Sequence, residues 1–303
     1  MDATASEHID GGWTGATPSM AASPRAGTAA DAAGGRPRML IMDVCGAYMR
    51  PLGGWFAIAK IVQLMSELDV DEAATRSALL RMRRKGLLEP ERRRGARGLR
   101  LTDHALDALA DTERRIYGPR RPTYLGDGWV LVSFSVPENE RAKRHVLRSQ
   151  LSWLGFGNLS NGLWMAPRRM TDELRTTVAR LGFERYVLVF EAQYAGFQEL
   201  AALVGDAWDL AELAGLYAEF VDWCAPIAEH WERDPGGDAA RAFVDYTLAL
   251  YHWRKFPYLD PGLPRDLLPP DWAGHRAAEL FFGLRERLEP LALDHVRRTC
   301  AAP

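Results

Sequence analysis

Cysteine is scarce. Cys45, Cys224 and Cys300 are the three in 303 residues, far apart and odd in number. That excludes a disulfide framework and a cysteine-built metal site, and it fits a reducing cytoplasm. No apolar run is long enough to span a bilayer, so no membrane partner is expected. The N-terminus lacks the basic start and apolar core of a secretory signal. There is no glycine-rich phosphate loop, and no Ser/His/Asp or Cys/His set is suggested by spacing. His252 stands alone and reads as a surface or hydrogen-bonded residue. A metal-dependent nuclease needs clustered carboxylates to hold its cation. The strand-like run "WVLVSFSV" offers none, and Glu138, which follows it, suits the first turn of a helix. No catalytic residue, metal ligand or cofactor is therefore expected. A nuclease centred on this segment stands as the rival reading.

What is present is charge, unevenly placed. The formal net charge is −2, yet Arg76 to Arg100 holds ten arginines and lysines against Glu89 and Glu91. From Glu191 to the end there are nineteen acids and ten bases. A basic block joined to an acidic one points to a polyanion-binding module attached to something else. Hydrophobic content of 47% and charge of 26% are those of a globular protein, and 303 residues suggest two or three domains.

Residues 1–37 are rich in Ala, Gly, Ser, Thr and Pro and read as a disordered tail. "MLIMDVCGAYMR" reads as a helix stopped by Pro51. "WFAIAKIVQLMSELDV" reads as a second, with Ile58, Ile61, Val62 and Met65 on one face. A third, capped by Asp71, runs to Lys85 and ends at Gly86. "LLEPERRRGARGLRLT" reads as a hairpin, and "DHALDALADTERRIYG" as a helix. Helix, helix, helix, hairpin, helix is the order of a winged helix-turn-helix, over 38–121. Over 122–195 the order is βαββαβ, with a hairpin turn at Asn161-Gly162 and Thr171 as a helix cap. That is the ferredoxin-like split fold. Residues 196–303 read as helical, roughly 196–204, 208–233, 238–255 and 271–298. The fold class is α+β.

In helix-turn-helix docking, the N-terminal half of the second helix of the pair enters the major groove. Ala74, Ala78, Leu79 and Met82 share the face that packs inward. Arg76, Ser77, Arg81 and Arg84 point elsewhere, with Thr75 at the margin. Arg76 is best placed to fork onto a guanine edge. Arg83, Arg84 and Lys85, near the helix end, suit phosphate contact or the helix dipole. Arg92, Arg93, Arg94 and Arg97 on the wing suit phosphates or a minor groove. A second candidate set lies later. "YHWRKFPY" places Arg254 and Lys255 among rings, either to grip an anion or to form a structural ion pair. Arg168 and Arg169 are further anion candidates.

These residues carry a resemblance. "GAYMRPLGG", "TRSALLRMRRKGLL", "RRIYG", "WLGFGNLSNGLWMAP" and "LPRDLLPPDWAG" are similar, in order, to segments of the phenylacetic acid degradation regulators, the PaaX-like transcriptional repressors. The resemblance implies a winged-helix DNA-binding domain, a central domain similar to CRISPR-associated small endonucleases, and a helical C-terminal domain. It implies a repressor of aromatic catabolism released by phenylacetyl-coenzyme A or another acyl-coenzyme A. Two positions depart from the family pattern. Leu99 stands near the place of a wing tyrosine, and Tyr251 stands where a histidine often precedes the arginine.

The expectation is a cytoplasmic homodimer that binds a near-palindromic double-stranded operator. A small-molecule effector binds between the central and C-terminal domains, at Trp164, Arg168, Tyr251, Trp253 and Arg254.

Overall fold

The computed structural model describes residues 29–93, 95–118 and 122–301. Most of the expected tail, residues 1–28, lies outside them. Residues 29–37 are helical rather than tail: α1 runs Ala29–Val44, and alanines there favour the helix. α1 continues into a π-helical turn, Cys45–Met49, whose last bond is Arg50 N–H to Cys45 O at 2.9 Å. Gly53 and Gly54 then take φ of 96° and 72°, a left-handed path that suits glycine.

Trp55–Ala57 forms strand β1 rather than the start of a helix, and α2 spans Ile58–Glu67. α3 spans Glu72–Arg84 with the expected cap, Asp71 accepting from Ala74 N–H at 2.8 Å. Gly86 follows at φ 67°. Strands β2 (Leu88–Arg93) and β3 (Ala96–Leu101) form the hairpin. α4 spans Asp103–Tyr117, capped by Thr102. The first sheet has the order β1-β3-β2, all antiparallel, with Trp55 opposite Arg100 and Leu88 opposite Leu101.

The second sheet contains β4 (Trp129–Phe134), β5 (Gly157–Ser160), β6 (Leu163–Pro167) and β7 (Val187–Ala192). Its order is β5-β6-β4-β7, antiparallel throughout. Period-two alternation sends Val130, Val132, Trp164 and Ala166 to one face. There they pack with Leu147 and Leu151 of α5 (Arg141–Trp153) and Leu174 and Val178 of α6 (Thr171–Leu181). Thr171 is the first residue of α6 and not its cap, since its hydroxyl donates to Arg168 O. The other face sends Trp129 and Met165 against Val204 of α7 (Leu200–Ala207) and Leu210.

The remaining helices are α8 (Leu210–Arg233), α9 (Ala239–Trp253), the short α10 (Phe256–Leu259) and α11 (Gly274–Ala301). One hydrophobic core runs through both ends of the chain. Leu40, Ile41, Tyr48, Leu64, Met82 and Leu109 belong to it, and so do Tyr217, Phe243, Trp253, Phe281 and Leu288. Polar bonds cross the same seam: Tyr48 Oη to Thr247 Oγ1 at 2.9 Å and His295 Nε2 to Glu67 Oε2 at 2.7 Å. α1 and α2, the helices against which α3 packs, are thus packed directly on the C-terminal helices. The chain is a mixed helix-and-strand protein with two small antiparallel sheets and a helical C-terminal region.

Candidate nucleic-acid interface

α3 presents two faces. Ala78, Leu79 and Met82 are buried, and so is Thr75, with no exposed surface and no hydrogen bond to its hydroxyl among the described residues. Thr75 is therefore removed from the candidate contacts: it stands at i, with the core at i+3, i+4 and i+7. Arg76, Ser77, Arg81, Arg83 and Arg84 are exposed. Arg76 Nε lies 2.6 Å from Glu72 Oε1, one helical turn back, and Arg81 Nη1 donates to Ser77 Oγ at 2.7 Å. Both pairings are exposed, so they steer side chains rather than lock them. In their midst Leu80 is exposed at 45%. An apolar side chain among arginines suits contact with a thymine methyl in a groove.

The hairpin is built on Trp55. The Trp55 indole donates to Glu91 O at 3.2 Å, and the Arg93 guanidinium lies 5.6 Å from its ring. A Cβ at Gly98 would fall 2.3 Å from that ring, so only glycine lets the tryptophan lie across β3. Arg93 bonds Glu91 at 2.8 Å and draws the Glu91 carboxyl below the usual range. Arg100 pairs with Glu89. The two acids of the block are thus matched with Arg93 and Arg100. Arg92 and Arg97 face each other directly across the strands, both exposed. Like charges opposed across an antiparallel pair are destabilising, and an anion laid on them would remove the repulsion. Arg94 lies outside the described residues. Sequence reasoning missed Trp55 as a scaffold because it stands just ahead of a helical period.

The expected effector residues do not come together. Trp164 is buried in the core of the second sheet. Arg168 pairs on the surface with Glu191 at 2.8 Å. Trp253 is fully buried in the other core, stacked on Phe281 at 4.8 Å and tilted against Phe220 and Phe256. Arg254 is 6% exposed, with its Nη1 3.1 Å from Asp43 Oδ1. Tyr251 is half-buried, edge-on to His252. Trp164 and Trp253 fill different cores, so they cannot wall one pocket. Of the two readings of Arg254, the structural ion pair is the one observed. Among the described residues, no group of three or more His, Cys, Asp or Glu is placed to hold a metal ion, and no helix is long and apolar enough to cross a membrane.

Three family models match the chain. The model described as PaaX-like protein matches residues 36–105, the PaaX protein central Cas2-like domain 123–204, and the PaaX-like protein C-terminal domain 208–298. The transcriptional repressor PaaX of Escherichia coli (strain K12) is 29% identical over 261 residues, spanning 85% of this chain and 82% of that protein. The solved structure of uncharacterized protein Rv0674 from Mycobacterium tuberculosis matches with a TM-score of 0.57 at 22% identity. It covers 84% of this chain and 97% of its own, and the likeness is one of fold.

Proposed function

The chain belongs to the PaaX-like family, and from that premise we propose that it is a cytoplasmic transcriptional regulator that binds double-stranded DNA and represses its target until an aromatic effector releases it. The observation that carries this reading is the exposed arginine face of α3 beside a hairpin whose Arg92 and Arg97 are opposed and unmatched by the hairpin's own acids. The repressor name of the E. coli relative supports it.

The finer fold assignments rest on the same features. Support for a winged helix-turn-helix over 38–121 is the α2–α3 pair followed by a two-stranded hairpin. Support for a ferredoxin-like unit over 122–195 is the sheet order, second-third-first-fourth strand with two helices on one face, and the Cas2-like model that matches there. Residues 196–303 form the helical unit of this scheme. A homodimer would set two copies of α3 against a near-palindrome. Leu188 and Phe190, exposed on edge strand β7, offer an apolar surface for pairing. The acyl-coenzyme A class of effector rests on the resemblance alone. For the nuclease alternative no observation speaks.

The test is a titration of the chain's own upstream region against random DNA at several salt concentrations. Arg76→Ala is expected to cost about 1–3 kcal/mol on the cognate site and far less on random sequence. Equal losses on both would make Arg76 a phosphate contact, and no preference for the cognate site in the unmodified protein would overturn the proposal. Neutralising Arg92, Arg93 and Arg97 together is expected to weaken binding to every sequence. The log–log salt slope should flatten by about one unit for each phosphate no longer neutralised. An unchanged slope would take the hairpin out of the interface.

A further inference from the structure

From Arg141 to Thr171 the chain has six arginines and lysines and no Asp or Glu. Four of the six stand on α5, with His145 among them. Arg141, Arg144, His145 and Arg148 follow the spacing i, i+3, i+4, i+7, which puts them on one stripe of the helix. All four are exposed, while Leu147 and Leu151 take the core face.

The stripe is not balanced by acids. Glu140, just ahead of α5, is bonded to Lys143 at 3.1 Å, to Arg185 at 3.2 Å and to the Tyr186 hydroxyl. Among the described residues, Arg141, Arg144 and Arg148 pair with no carboxylate. Arg144 donates to Val136 O at 2.8 Å, and the Arg148 guanidinium lies 6.0 Å from the Trp164 ring. Those contacts place the two groups without neutralising them. β5, which α5 packs against, carries no charge, and its exposed residues Asn158 and Ser160 are neutral. Like charges one helical turn apart repel, and phosphates laid along them would remove the repulsion.

We propose that this stripe of α5 is a second nucleic-acid contact, one that grips the sugar–phosphate backbone of double-stranded DNA without reading its sequence. Seven residues of helix span about 10 Å. A duplex strand presents a phosphate for every ~3.4 Å of its axis, so about three can lie along the stripe. Guanidinium groups fork onto phosphate oxygens, and exposed Ser152, one turn beyond Arg148, adds a hydroxyl donor. Single-stranded nucleic acid calls instead for aromatic platforms, and no ring of α5 or β5 is exposed. A protein partner calls for an apolar anchor, and Val146, the exposed large apolar side chain of α5, points off the stripe. Arg115 of α4 donates to Trp153 O at the end of α5, which ties the stripe to the helix that follows the basic hairpin. This contact rests on the reading of the chain as a DNA-binding protein, and it adds affinity that α3 and the hairpin do not supply.

The experiment compares three full-length chains by fluorescence anisotropy: the unmodified protein, Arg141→Gln with Arg148→Gln, and Arg141→Lys with Arg148→Lys. Each is titrated with the upstream duplex, a random duplex of equal length and a single strand, between about 50 and 200 mM salt. The glutamine pair is expected to weaken both duplexes by the same factor, about tenfold or more at the lowest salt, and to flatten the log–log salt slope by about two units. Its circular dichroism spectrum should be unchanged. The lysine pair should keep the unmodified slope, since a point charge still neutralises a phosphate. An unchanged slope for the folded glutamine pair overturns the proposal, and a simultaneous loss of dimer in sedimentation would assign the stripe to a contact between copies. A loss confined to the single strand, or to the upstream duplex, overturns it as well. A chain that shows no sequence preference but keeps a stripe-dependent slope on duplex overturns the repressor reading and leaves the contact standing. A chain that binds no duplex overturns both.

Discussion

Arg254→Ala is expected to destabilise the protein by about 3–5 kcal/mol at pH 7.5, because it leaves the Asp43 carboxylate buried without its counter-charge. The pair is 6% and 5% exposed, so solvent cannot take over the missing role. Burial already pushes Asp43 from 3.8 up to about 6, with the Arg254 guanidinium opposing that rise. The sign follows from which state holds more protons. Between pH 3.8 and 6 the folded chain keeps the Asp43 proton and the unfolded chain does not, so stability from this group is full at low pH and falls as pH rises through 6. A shift of that size corresponds to roughly 3 kcal/mol. Without Arg254 the carboxyl rises further, and the variant's deficit is expected to be largest at pH 7.5 and smaller at pH 5. Urea midpoints of both proteins at the two pH values measure it. A deficit that is the same at both would show that Asp43 is not the group left stranded. Replacing both partners with apolar residues, Asp43→Leu with Arg254→Met, is expected to recover much of the loss, since the pair is costly to break but not to remove.

That pair also marks where the sequence stopped being informative. Elements set by neighbours along the chain were legible. The Asp71 cap, the Gly86 stop, the Asn161-Gly162 turn and the strand order β4, β5, β6, β7 all depend on residues a few positions apart. β1 was not legible, because three residues beside a helical period carry no alternation of their own, and only pairing with β3 makes them a strand. Thr75 was legible in principle: with Ala78, Leu79 and Met82 it completes an i, i+3, i+4, i+7 stripe, and its hydroxyl hid the pattern. For Arg254 the decisive partner lies on α1, far away in sequence, and no local rule separates an arginine that grips a ligand from one that grips Asp43. The basic cluster sits at the other extreme. Its excess of positive charge was visible at once. The sorting of Arg93 and Arg100 onto Glu91 and Glu89, with Arg92 and Arg97 left opposed, needed the strand register.

The arginine with the widest reach stands out in the sequence only as part of a family motif. Arg115, on α4, is 14% exposed in its side chain. Its Nε donates to Pro257 O of α10 at 3.1 Å, and its Nη2 donates to Trp153 O at 3.2 Å, the end of α5. Its Nη1 lies 2.7 Å from Glu173 of α6. The guanidinium stands 4.3 Å from the Trp153 ring and 4.6 Å from the Tyr258 ring. One side chain thus joins the helix after the hairpin, both helices of the second sheet and the C-terminal region. Lysine cannot replace it, since a point charge lacks the planar fork and the stacking face. The pair with half-exposed Glu173 contributes little. The two carbonyls and the ring contacts carry the effect, at about 1.5–3 kcal/mol per charge-assisted bond. Arg115→Ala is expected to cost about 2–4 kcal/mol after that discount, because two part-buried carbonyls lose their donor and two rings lose the guanidinium stacked on them. Arg115→Lys should recover less than half. The readout that separates coupling from general damage is the shape of unfolding. The second sheet has its own core, so once uncoupled it should melt apart from the helices that share the other core. Tryptophan fluorescence and far-ultraviolet circular dichroism are expected to give coincident urea transitions for the unmodified chain and separated ones for Arg115→Ala. Coincident transitions in the variant, or a loss below about 1 kcal/mol, would mean that the units are held together by their apolar contacts and not by this arginine.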